Sequence, residues 1–235
     1  MGRAFEFRKG RKMKRWDAMS KGFTRLGKEI ALAVKTGGPD VSTNARLRVA
    51  VQNAKGINMP KDRIEAAIKR ASSKEDKDLE EVVYEGYGPG GVAILAECAT
   101  DNINRTVANI RSYYNKYGGA LGKTGSLDFI FTRKGVFKIA AEGRNIEELE
   151  LDLIDFGLEE IQQEEDMLFI YTAFEDFGHM MKGLEQLHIE PISAELQRIA
   201  LSETEISDEV AEEVIKLIEK IEEDDDVQNV YHNMK

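Results

Sequence analysis

The 235-residue chain has one cysteine, Cys98, and only three histidines. A lone thiol excludes a disulfide framework within the chain and any zinc site built from clustered cysteines. Cys98 ends the apolar run Val92 to Cys98, where a thiol is expected to be buried and inert rather than nucleophilic. His179, His188 and His232 lie far apart and lack the spacing of metal ligands. No Ser/His/Asp or Cys/His arrangement can be assembled from these residues, so no catalytic site, metal or cofactor is expected. Long apolar runs are also lacking: no segment approaches the roughly 20 residues of a membrane span. The N-terminus has no apolar core of the secretory-signal kind. The cytoplasm is the expected location, with no membrane partner.

Positive charge is in deficit overall, with a formal net of −10, which by itself argues against a nucleic-acid binder. Its distribution argues the reverse. Residues 1–78 hold 20 Lys/Arg against 9 Asp/Glu, a net of +11, while residues 79–235 hold 13 against 34, a net of −21. A basic module on an acidic body is a signal of polyanion binding. Arg3, Arg8, Lys9, Arg11, Lys12, Lys14 and Arg15 face only Glu6 in the first fifteen residues. That density without periodicity predicts a flexible basic arm over 1–15 that contacts phosphates by releasing condensed counterions.

Residues 16–78 read as a basic helical domain. Trp16, Met19, Phe23, Leu26, Ile30 and Ala33 recur at helical spacing until Gly37-Gly38-Pro39 stops the pattern. Ser42 to Asn44 suit the cap of a second helix with Leu47, Ala50, Val51 and Ala54 inward, ended by Gly56. Pro60 suits the first turn of a third, with Ile64, Ala67, Ile68 and Ala71 inward. The Trp/Phe stripe is read as the core of this three-helix bundle. Lys21, Arg25, Lys28, Arg46, Lys61 and Lys69 add to the basic surface. Arg48, Gln52 and Lys55 share one flank of the second helix, and Arg63 and Arg70 one line of the third. The short Gly56-Ile57-Asn58 link resembles that of a helix-turn-helix.

A charged stretch, Ser72 to Glu80, reads as a linker. Beyond it come two α/β patterns. The first is a strand, the Gly/Pro turn Gly86 to Gly91, a strand through Val92 to Cys98, a helix capped by Thr100 or Asp101, a glycine loop and a third strand ending near Phe131. In the helix, Ile103, Val107, Ile110 and Tyr114 form an apolar stripe, and Arg105, Asn109, Ser112 and Lys116 the opposite face. The second pattern, over 133–201, runs strand-helix-strand-strand-helix-strand, the ferredoxin-like order. A helix behind Ser207 and a strand around Val227 to Tyr231 then complete the first unit. The expected fold is α+β: an N-terminal three-helix bundle followed by two ferredoxin-like α/β units, the second (133–201) inserted into the first (79–132 plus 202–235).

Two stretches invite chemistry. Gly122-Lys123-Thr124 ends like a phosphate-binding loop, but the pattern needs glycine where Tyr117 stands, and it follows a helix rather than a strand. It is read as a tight loop, with Lys123 at its edge and Tyr87 at the neighbouring turn as contact residues, alongside Arg105. Glu222 to Asp226 lacks the alternating ligands and central glycine of a calcium loop and reads as a solvated turn.

The stretch Tyr84-Glu85-Gly86-Tyr87-Gly88-Pro89-Gly90-Gly91, with Thr100-Asp101-Asn102-Ile103-Asn104-Arg105-Thr106 and Gly118 to Ser126, resembles the signature region of the YebC/PmpR family. Asn44 to Arg48, Asn58 to Asp62 and Asp226 to Tyr231 match as well, so the resemblance spans nearly the whole chain. The chain departs from the family at its start, Met1-Gly2-Arg3-Ala4-Phe5, where members carry a Gly-His-Ser-Lys-Trp-like segment. The resemblance implies the inserted arrangement of α/β units. It also implies a non-enzymatic regulator of gene expression, in one of two versions. One binds promoter DNA and regulates transcription. The other binds ribosomal or transfer RNA at the ribosome and assists translation, in the family notably at stalling, proline-rich stretches; the family also includes a mitochondrial translational activator. A reading of another class is a metal-dependent enzyme using Glu85, Glu97, Asp101 and Asp128 around the signature loops.

Overall fold

The computed structural model describes the backbone of residues 3–73 and 78–235, and side chains from Ser20 onward. The first helix, α1, runs Arg3–Gly37. Residues 3–15, expected as an irregular arm, are therefore helical, continuous with the turns that build the bundle. Trp16 and Met19 lie outside the described side chains. From Phe23 on, the predicted stripe holds: Ile30, Ala33 and Val34 are buried with Leu47, Ala50 and Ala54 of α2 (Ala45–Gly56) and Ile64 and Ala71 of α3 (Lys61–Ala71).

One side chain joins two of these helices. Asn44, buried, donates its Nδ2 to the carbonyls of Ala33 (2.7 Å) and Gly38 (2.8 Å), closing the end of α1. Its Oδ1 accepts from Leu47 N–H at 3.0 Å, capping α2. Both sets of orphaned backbone groups at a helix-helix corner are thus served by one amide. Helix α2 ends at Gly56 as expected, but the glycine is not the residue that turns the chain. Gly56 stays helical, and the left-handed residue is Asn58 (φ 59°), where Met59 N–H reaches back to Ala54 O at 2.9 Å. Asparagine tolerates that conformation because its short polar side chain can satisfy itself locally.

The chain divides into two compact units, Met1–Glu80 and Glu81–Lys235. In the second, β1 (Glu80–Tyr87), β2 (Ala93–Thr100), β3 (Ala120–Leu121) and β8 (Val227–His232) form an antiparallel sheet of order β3-β1-β2-β8. Helices α4 (Ile103–Lys116) and α7 (Asp208–Glu222) cover one face through Ile110, Tyr114, Val214, Leu217 and Ile221. β2 alternates between two cores: Ile94, Ala96 and Cys98 point to that helical face, while Ala93 and Leu95 meet Leu127, Ile130 and Phe131 on the other. That double coverage explains its apolar run from Ala93 to Ala96.

A second antiparallel sheet uses β4 (Phe131–Ala140), β5 (Leu158–Glu164), β6 (Met167–Ala173) and β7 (Ser193–Ala200) in the order β5-β6-β4-β7. With α5 (Ile146–Leu153) after β4 and α6 (Phe177–Gln186) after β6, this is the ferredoxin-like order. In sequence, all of it falls between β3 and α7. The first sheet shares the layout of four strands and two helices, but places the consecutive strands β1 and β2 at its centre.

Three local expectations are corrected. The cap of α4 is neither Thr100 nor Asp101 but Asn102, whose Oδ1 accepts from Arg105 N–H at 3.1 Å. Ile103 is exposed, and Thr106 takes its place on the inner face beside Ile110 and Tyr114. The third strand is the pair Ala120–Leu121 inside the glycine loop. Leu127 to Ile130 instead form a turn pressed under the sheet, and Phe131 opens β4. Apolar content alone does not separate a strand from a buried turn, because both satisfy the same burial.

Candidate nucleic-acid interface

Between Ser20 and Ser73, where side chains are described, 11 Lys/Arg face 4 Asp/Glu. Amphipathic packing dictates where they go. With alanine, leucine and isoleucine committed inward, the cations fall on the outer surface: Lys21, Arg46, Arg48, Lys55, Lys61, Arg63, Lys69 and Arg70 are exposed, and Arg25, Lys28 and Gln52 half-buried. Lys55, Lys69 and Arg70 stand in the last turns of α2 and α3, where the helix dipole favours positive charge. The side chains of Arg3, Arg8, Lys9, Arg11, Lys12, Lys14 and Arg15 lie outside those described.

Not every cation is held for a ligand. Arg48 folds back on the α1–α2 loop, donating Nη2 to Ser42 O at 2.6 Å and Nε to Val41 O at 3.3 Å. The flank shared with Gln52 and Lys55 therefore has its most directional donor in use. Arg63 lies 5.7 Å from the Phe23 ring centroid, a cation–π contact that ties α3 to α1, and Lys61 pairs loosely with Glu65 at 3.6 Å.

In the α/β unit, two amides of the glycine loop are already engaged by a carboxylate of the chain itself. Glu85 is only 4% exposed. Its carboxylate accepts from the N–H groups of Gly125 (2.9 Å) and Leu127 (2.7 Å), with Ser126 Oγ at 3.4 Å. The amides that would cradle an anion already hold one. Lys123 is exposed on the same loop, and Tyr87 ends β1 with 37% exposure. These two remain available to a ligand.

Arg105 is not. Its Nη2 lies 2.9 Å from Asp101 Oδ1 and 2.6 Å from Asp226 Oδ2, and these hydrogen bonds raise its already high pKa further. Asp226 is 5% exposed and also accepts from Thr106 Oγ1 (2.8 Å) and Thr100 Oγ1 (3.2 Å). Two residues earlier, Asp224 accepts from Asn109 Nδ2 and Tyr113 Oη, both at 3.0 Å. The run expected as a solvated turn is thus a set of structural acceptors joining the end of α7 to the start and outer flank of α4. Sequence reasoning missed Thr106, Asn109, Tyr113, Asp224 and Asp226 as partners. The available signal was that Thr100 to Thr106 and Asp226 to Tyr231 are both signature motifs, 120 residues apart, with acceptors in one and donors in the other.

The four carboxylates of the metal-enzyme reading do not converge. Glu85 anchors the glycine loop, Glu97 takes Arg198 Nε at 3.0 Å, Asp101 pairs with Arg105, and Asp128 is exposed. Among the described residues no three His, Cys, Asp or Glu side chains gather where a metal ion could be held, and no helix is long and apolar enough to cross a membrane. Cys98 is buried in the sheet core. His232, exposed at the end of β8, has its pKa lowered by desolvation of the ring and accepts from Met234 N–H through Nδ1.

The architecture that emerges is a basic helical unit joined to an acidic unit of two antiparallel α/β sheets. Comparison with known proteins gives this class a family. The TACO1/YebC protein N-terminal domain matches residues 3–74, and the TACO1/YebC second and third domain matches residues 79–234. A probable transcriptional regulatory protein of Cytophaga hutchinsonii is 64% identical over 100% of this chain and 98% of its own length. One of Flavobacterium johnsoniae is 56% identical over 100% and 99%. The crystal structure of a conserved hypothetical protein from Aquifex aeolicus superposes with a TM-score of 0.81 at 40% identity, covering 92% of this chain and 90% of that one. The chain belongs to the TACO1/YebC family.

Proposed function

We propose that the protein is a non-enzymatic regulator of gene expression that binds nucleic acid through its helical unit. The observation that carries this reading is the segregation of charge: net +11 over residues 1–78 against −21 over the rest. Exposed lysines and arginines on all three helices attract a polyanion, while the acidic unit is repelled from it, which limits how the complex can be oriented. The names of the relatives point to transcription, and hence to promoter DNA as target. A second target, structured ribosomal or transfer RNA at the ribosome, is favoured by the state of Arg48. With its guanidinium committed to Val41 and Ser42, Arg48 is not offered as a bidentate reader of base edges, which favours recognition by backbone and shape.

The test has two arms. In cells, ultraviolet crosslinking followed by sequencing of bound DNA and RNA compares wild type with a Lys69→Ala/Arg70→Ala variant. Promoter DNA lost in the variant supports transcriptional regulation, and ribosomal or transfer RNA lost in the variant supports the translational version. In vitro, binding to a duplex DNA and to a folded ribosomal RNA fragment is followed across a salt series. Removing residues 2–15 takes away seven cations. If about 4 of them contact phosphates, the log–log salt slope flattens by about 3 units. A slope unchanged by that deletion, with crosslinks unchanged in the variant, defeats the proposal.

A further inference from the structure

The charge of the acidic unit is concentrated. From Asn145 to Met181, 37 residues spanning α5, β5, β6 and the start of α6, there are 12 Asp/Glu and no Lys or Arg. Within this run α5 turns Leu149 and Leu153 inward and leaves Leu151 73% exposed, and the 3-10 turn directly after it (Ile154–Phe156) leaves Ile154 63% exposed, two of the most exposed large apolar side chains described. Glu147 and Glu148 share the outer side of the helix with Leu151, Glu150 and Asp152 lie at its two edges, and Asp155 follows Ile154 in the next turn, all exposed. Of the cations that flank this run, Arg144 donates to Ala140 O at 3.1 Å, Lys134 pairs with Glu159 at 3.0 Å, and Lys182 is exposed on α6. An apolar pair framed by five carboxylates serves neither solubility nor packing within the chain.

We infer that the outer face of α5 is a docking surface for a basic amphipathic segment of another protein. Leu151 and Ile154 supply apolar anchors, and the carboxylate frame selects cations and excludes acidic partners. The sign of the charge rules against nucleic acid on this face. A symmetric contact with a second copy would set the same carboxylates against each other. The helical unit would thus hold a polyanion while this face recruits a basic protein, two contacts of opposite sign on one chain.

The test places benzoylphenylalanine at position 148 or 152 of the full-length protein and identifies the photo-adduct formed in cells by sequencing the crosslinked peptide. The expected adduct is a peptide of another protein, net basic, with apolar residues at helical spacing. A synthetic copy of that peptide then binds the purified protein. Its affinity falls about tenfold in Leu151→Ser and about tenfold again when Ile154→Ser is added, and weakens at high salt. Both positions are exposed, so the variants keep the wild-type thermal melt. Adducts to the protein's own chain, to nucleic acid or to nothing overturn the inference. So does a peptide whose affinity ignores both substitutions, or one that binds equally well with its charges reversed.

Discussion

Asp226 accepts from three side chains, those of Thr100, Arg105 and Thr106, and its removal is a direct test of how the two ends of the first sheet are joined. In Asp226→Ala, the buried hydroxyls of Thr100 and Thr106 lose a carboxylate at 3.2 and 2.8 Å. A hydrogen bond to a charged acceptor contributes about 1.5 kcal/mol at the lower end of the usual range, so the two together come to about 3 kcal/mol. Arg105 adds to this, but its guanidinium is open to solvent and its share is screened. For a unit of this size, about 3 kcal/mol corresponds to a fall in melting temperature of about 10 °C. The composition supplies the assay. All seven tyrosines lie in the α/β unit and the one tryptophan, Trp16, in the helical unit. Tyrosine near-ultraviolet circular dichroism therefore follows the affected unit, while tryptophan fluorescence serves as an internal control that does not move. A double-mutant cycle with Thr106→Val isolates that contact, with an expected coupling of about 1 kcal/mol. A loss below about 1 kcal/mol in Asp226→Ala, or a cycle with no coupling, would refute the assignment of these residues as the closure between α4 and β8.

Two further predictions concern a buried carboxylate and a half-buried phenol of the same unit. Glu85→Gln keeps the volume but removes the charge that holds Gly125 and Leu127 N–H. We expect about 2 kcal/mol of destabilisation and amide exchange at both positions faster by roughly tenfold or more; unchanged protection would show that the loop holds itself. Burial, the hydrogen bond to Asp224 and repulsion from Glu223 and Asp226 push the Tyr113 phenol up to about 12. Because the folded pKa lies above the unfolded value near 10, the stabilisation tied to this group is complete below pH 10 and is lost as pH rises through about 12. An alkaline titration of tyrosinate absorbance should show Asp224→Asn moving one late-titrating group toward the ordinary range, and identical curves would remove Asp224 as its partner.

The sequence alone carried the class of fold, because hydrophobic periodicity is a local consequence of burial. Phe23, Leu26, Ile30 and Ala33 could only be one face of a helix, and the β-α-β-β-α-β pattern between Phe131 and Ala200 could be read strand by strand. It also carried the charge segregation, which is a matter of composition. The boundaries that failed did so where two structures satisfy the same local constraint. Leu127 and Ile130 are buried from a turn just as they could be from a strand, and Thr100, Asp101 and Asn102 are all competent caps. The candidate contacts divide in the same way. That Lys55, Lys69 and Arg70 lie outside followed from the helical repeat, whereas the commitment of Arg48 to a loop and of Arg105 to two aspartates did not. Most of all, Glu222 to Asp226 looked like solvated charge, since nothing within ten residues offers it buried donors. Its partners, Thr100, Arg105, Thr106, Asn109 and Tyr113, are brought to it only when the chain returns through α7 and β8. Local sequence fixes which groups must be buried or satisfied, but only the closed fold decides which distant group satisfies them.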